Sequence, residues 1–102
     1  MDRYLLTNST RKDKKYMVYQ VDNQNKKIGN VVHFGAVGYE DYTIHKDDKR
    51  RDNYIRRHQE REDWTDLNSA GTWSRFILWG EPSISKSINK MGKMFNIKIL
   101  HL

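Results

Sequence analysis

A chain of 102 residues builds one hydrophobic core, and a hydrophobic content of only 36% against 31% charged residues predicts that this core is small. Aromatic residues at 12%, with three Trp and six Tyr, a single Pro and no low-complexity run, argue against disorder and predict a core made by a few large side chains. The absence of cysteine excludes a disulfide framework and a thiolate metal site, and a net charge of +6 favours a polyanionic partner such as nucleic acid.

No apolar run approaches the roughly 20 residues that span a bilayer, and the first residues hold no hydrophobic stretch of signal-peptide length. The expectation is a protein that is neither secreted nor inserted in a membrane. The charge is spread along the chain. Residues 1–44 carry seven basic and five acidic side chains, residues 45–64 seven and six, and residues 65–102 five and two, so no stretch is a protamine-like tail.

Residues 1–15 read as a basic N-terminal arm with a short strand at 3–7. Tyr16 to Val21 and Ile28 to Phe34 are rich in β-branched and aromatic residues, and Asp22 to Lys26 supplies turn chemistry, which predicts a β-hairpin over 16–34. Residues 35–46 read as an ordered loop. Gly35 and Gly38 suit a tight backbone path there, without the lysine and hydroxyl residue of a phosphate-binding loop.

A helix is predicted over about 47–62, capped by Asp47 or Asp48. At 100° per residue Tyr54, Ile55 and His58 form its inner stripe, flanked on one side by Lys46, Arg50, Arg57 and Arg61. Asp52, Glu60 and Asp63 lie towards the other side, with Lys49 and Arg56 among them. A second helix, about 70–79 and capped by Ser69, is apolar nearly all round and should be the buried centre; Gly80 and Pro82 end it. A third, about 84–95 after Ser83, sets Ile84, Ile88, Met91 and Phe95 opposite Lys86, Lys90 and Lys93. Residues 97–100 alternate as an edge strand does. The fold class expected is α+β, a small single domain with an N-terminal hairpin followed by about three helices.

Two sets of residues carry candidate chemistry. Lys46, Arg50, Arg57 and Arg61, together with Lys86, Lys90 and Lys93, suit phosphate neutralisation, and Tyr54 offers a ring for base stacking. Set against this, a solvated helix face and a core tyrosine are the ordinary roles of such residues. His33, His45 and His58, with Asp41 or Glu40, would form a metal site if the fold brought them together, although no pair has metal-ligand spacing. Neighbouring carboxylates at Glu40–Asp41 and Glu62–Asp63 diverge on any regular element, and no nucleophile stands with its base. The sequence gives no positive argument for an enzyme and calls for no cofactor.

The run His33 to Asp47 continues into Arg50-Arg51, Tyr54-Ile55, Arg57-His58, Arg61-Glu62 and Trp64, then Ala70 to Arg75 and Leu78-Trp79. It resembles a family of small uncharacterised proteins encoded by large nucleocytoplasmic DNA viruses. The resemblance covers about half the chain; Gly80-Glu81-Pro82 departs from the more polar turn expected, and the first 15 residues look particular to this chain. It implies a viral origin, a virion component, and a location in the virion and in the infected-cell cytoplasm or nucleus. It transfers no catalytic residue.

The reading that follows is a non-enzymatic basic structural protein that binds nucleic acid, double-stranded DNA first, largely without sequence specificity. Two alternatives stand beside it. One is a minor capsid or scaffold protein acting through protein contacts, a homo-oligomer included. The other is a metal-dependent nuclease using the histidines.

Overall fold

The computed structural model describes residues 1–102, a four-stranded sheet and a set of short helices. The strands are β1 (Asp2–Asn8), β2 (Lys14–Val21), β3 (Lys27–Ala36) and β4 (Ile97–His101), in the order β3-β2-β1-β4. The chain is a small α+β domain, as its pattern predicts.

β2 and β3 form the expected hairpin, closed by Asp22. Its carboxylate accepts from the Gln24 and Lys26 N–H groups at 2.8 and 3.0 Å, while Asn25 takes the left-handed conformation at φ 63°. The N-terminal segment is more than an arm. β1 pairs antiparallel with β2 from Arg3↔Val21 to Asn8↔Tyr16, and parallel with β4 from Asp2↔Ile97 to Leu6↔His101, so it is an interior strand. Leu5 and Leu6, both buried, give it the apolar content that such a place requires.

Leu6, Val18, Phe34 and Ile97 project from one face of the sheet. They meet Trp73, Ile77, Leu78 and Met91 from the helices, and this cluster is the core. Only 16 of 102 residues are buried, so the few large side chains of this cluster hold the fold.

α1 (Tyr42–His45) lies inside the stretch read as an ordered loop. Asp41 caps it, accepting from the Thr43 N–H at 2.9 Å, and Lys46 ends it in the left-handed region. A single turn has no apolar period, which is why its residues do not read as helix. α2 (Asp48–His58) starts on Asp47, whose carboxylate accepts from the Lys49 and Arg50 N–H groups. It is one turn shorter than the charge pattern suggests, because the chain turns after His58 and carries Glu62 back to the next helix.

α3 (Ala70–Trp73) is capped by Ser69 and continues as a π-helical turn over Ser74–Leu78. The Trp79 N–H bonds the Ser74 carbonyl five residues back, at 3.1 Å. Gly80 ends this element for a steric reason: a Cβ there would collide with the Phe76 carbonyl oxygen. α4 (Ile84–Phe95) has the predicted limits, with the Ser83 hydroxyl accepting from the Lys86 N–H at 3.2 Å.

Candidate functional site

An open cleft of about 600 Å³ lies where the far end of the hairpin, α2 and α3 meet. Lys14, Lys15 and Gly35 come from the hairpin, and Arg50, Tyr54, Arg57 and His58 from α2. Gly71 and Ser74 come from α3 and its continuation. Gly35 allows the approach. Its φ is +81°, and a Cβ would fall 2.8 Å from Leu78 Cδ1.

A ladder of rings forms the wall behind the cleft. Tyr54 stacks on Trp79 with centroids 4.3 Å apart and meets His58 at the same distance with the rings tilted by 31°; His45 meets Trp79 at 5.3 Å. Arg51 fixes this assembly from the other side, its Nε donating to the Trp79 and Gly80 carbonyls at 3.1 Å. The Arg75 Nη1 donates to the same Trp79 carbonyl. Burial, and then the neighbouring Arg51, lower the Arg75 pKa.

Tyr54 is only 8% exposed and lines the cleft; its hydroxyl bonds no protein group and keeps contact with solvent. Burial, reinforced by Glu62 and partly offset by Arg75 and Arg57, pushes its pKa up to about 12. The phenol therefore stays a proton donor through the physiological range.

Charges around the cleft are mixed. The Lys15 Nζ pairs with Asp41 at 2.7 Å, with both side chains largely buried, and also donates to the Tyr39 carbonyl. The Arg50 guanidinium faces Glu40 only loosely, at 3.7 Å. The Glu62 carboxylate accepts from the Trp64 indole N–H at 2.8 Å, lies 3.8 Å from His58 Nδ1, and covers Gly71, where a Cβ would meet its Oε1 at 2.7 Å. Lys14 and Arg57 have no acidic partner.

The seven cations read from the sequence are all exposed, and the structure divides them. Arg50 and Arg57 enter the cleft. Lys46 turns back on its own helix, its Nζ donating to the Thr43 carbonyl at 2.9 Å, and Arg61 stands at the turn after α2. Lys86, Lys90 and Lys93 lie on α4 and do not line the cleft; Lys90 has a loose pair with Glu81 at 3.7 Å.

The histidines do not converge. His33 is 2.8 Å from the Ser9 hydroxyl on the sheet, the His45 Nδ1 accepts from the Asp47 N–H, and His58 meets Tyr54. Asp41 is committed to Lys15 and to capping α1. No three His, Cys, Asp or Glu side chains form a group able to hold a metal ion, so the fold does not bring the candidates His33, His45, His58 and Asp41 together.

Lys14, Lys15, Ser74 and Glu62 are not singled out by spacing, because only the hairpin's packing against α2 and α3 brings them to one place. Tyr54 is legible as an inner-stripe residue; its free hydroxyl is not.

No curated protein and no solved structure matches the chain. Residues 4–58 match a family of unknown function, DUF5754. The match begins in β1, so the N-terminal segment, read from the sequence as particular to this chain, is largely shared with that family. With more than half of its residues matched, the chain belongs to the family of unknown function DUF5754.

Proposed function

We propose that this is a non-enzymatic basic protein that binds nucleic acid, double-stranded DNA in the first instance, largely without regard to sequence. One observation carries the reading. Of the seven exposed cations read from the sequence, Lys46, Arg57, Arg61, Lys86 and Lys93 have no acidic partner, and Arg50 and Lys90 have only loose ones at 3.7 Å. Exposed ion pairs of that kind contribute ~1 kcal/mol or less, so they yield readily to a phosphate. Contacts from Lys and Arg to phosphates position a duplex without reading its bases. The resemblance to small proteins of large nucleocytoplasmic DNA viruses supports a place on the genome within a virion.

Substitution tests the reading. Arg57→Ala and Lys90→Ala should each weaken binding to all duplex sequences about equally and lower the salt slope by about 1. Variants that bind like the parent would mean that these flanks are ordinary solvated surface.

A second reading rests on the segment between β3 and α2, where Val37, Tyr39 and Ile44 are all more than half exposed. Apolar side chains gathered in eight residues suit a protein contact, as in a minor capsid or scaffold protein. Co-purification with capsid layers without DNA affinity would favour it.

A further inference from the structure

Tyr54 is the most informative group in the cleft. Its ring is buried, but its hydroxyl bonds no protein group and keeps contact with solvent, which leaves it free to donate to a ligand. It sits between two arginines on one helix stripe, Arg50 one turn before it and Arg57 one turn after, and all three line the same cleft. Lys14 enters from the hairpin, also without an acidic partner. A neutral donor beside two unpaired cations, Lys14 and Arg57, and a third, Arg50, held only loosely by Glu40 at 3.7 Å, is the chemistry that receives a phosphate group.

The rest of the lining narrows the ligand. Glu62 borders the same cleft and would repel a bare polyanion, but it accepts hydrogen bonds from amino or hydroxyl groups. Tyr39, which also lines the cleft, is 74% exposed and offers a ring face to a base. The volume of about 600 Å³ lies within the range of small-ligand sites.

We propose that this cleft is a nucleotide site, in which Lys14, Arg50, Arg57 and the Tyr54 hydroxyl hold the phosphate and Glu62 receives donors from the sugar or base. The nucleotide is either free or an unpaired or terminal one of a nucleic-acid strand. Only the second form rests on the nucleic-acid reading above.

Tryptophan fluorescence provides the test, because Trp79 lies directly against Tyr54. The intact protein is titrated with adenosine monophosphate, with adenosine, and with a 5′-phosphorylated single-stranded oligonucleotide. Binding of the phosphorylated probes over adenosine is expected, weakened about tenfold or more by Tyr54→Phe, which keeps the ring and removes only the donor. Lys14→Gln, at the hairpin end of the cleft, should act in the same direction.

Binding of the monophosphate supports the free form. Tyr54-dependent binding of the oligonucleotide alone supports the strand form. Saturation by neither phosphorylated probe, or equal affinity in the parent and in both variants, overturns the site. Duplex binding that fails while the monophosphate binds would remove the nucleic-acid reading and leave the free-nucleotide site standing.

Discussion

The ring of Tyr54 lies flat on the indole of Trp79, with centroids 4.3 Å apart and planes 2° from parallel. This contact anchors α2, which has few apolar residues of its own: Tyr54 is its one buried side chain. Arg51 adds the second attachment through the carbonyls of Trp79 and Gly80. Both attachments end on the same short segment after the π-helical turn, so that segment decides where α2 sits.

Trp79→Ala should therefore destabilise the protein by about 3 kcal/mol, since it removes a large half-buried ring together with its stacking. Urea unfolding measures the loss. Trp79→Phe should recover a substantial part of it. A change within about 0.5 kcal/mol for the alanine variant would show that α2 does not depend on this contact.

Alkaline stability follows from Tyr54. Its folded pKa is raised from 10.0 to about 12, so the neutral phenol is favoured in the folded state. The contribution is fully present below pH 10 and is lost as pH rises towards 12, about 2–3 kcal/mol from this group. Tyr4, Tyr16 and Tyr42 are raised as well and act in the same sense. Denaturation curves at successive pH values should show stability falling above pH 10, with a shallower fall in Tyr54→Phe.

The end of α3 makes a steric prediction. Gly80→Ala would drive a Cβ into the Phe76 carbonyl oxygen, and the backbone must shift to accept it. A cost of about 2–3 kcal/mol is expected by thermal unfolding. Gly29→Ala, at φ +87° but in open space, should cost only about 1 kcal/mol.

The Lys15–Asp41 pair makes an electrostatic one. Asp41→Asn retains an oxygen to cap α1 but leaves a largely buried ammonium without its counter-charge, which should destabilise by about 3 kcal/mol. Adding Lys15→Met to that variant should restore most of the loss. An additive double variant would show that the two charges act independently.

The fold was legible wherever a period was long enough to read. The hairpin, α4 and its lysine face, and the caps at Asp47, Ser69 and Ser83 follow directly from spacing and cap chemistry. β1 was harder, because Arg3 to Asn8 reads as polar at both ends, and its interior place depends on β4 arriving from the far end of the chain. The π-helical turn leaves no trace in the pattern of Trp73, Phe76, Ile77, Leu78 and Trp79, since one extra residue in a run of apolar side chains does not disturb it. The candidate site divided in the same way. Arg50 and Arg57 were legible as one flank of a helix; Lys14 and Glu62 were not, because they join that flank only through tertiary packing. The histidines mislead in sequence, where each looks like a potential ligand, because each is committed to a separate neighbour.

The most direct test of the central claim is equilibrium binding of the purified protein to random double-stranded DNA at about 50 and 200 mM salt, with and without magnesium. Neutralisation of about four phosphates predicts an affinity loss on the order of a hundredfold between the two salt concentrations, with the DNA left uncut in magnesium. Absence of binding at the lower salt concentration would contradict the account and direct attention to the exposed Val37, Tyr39 and Ile44 as a protein contact.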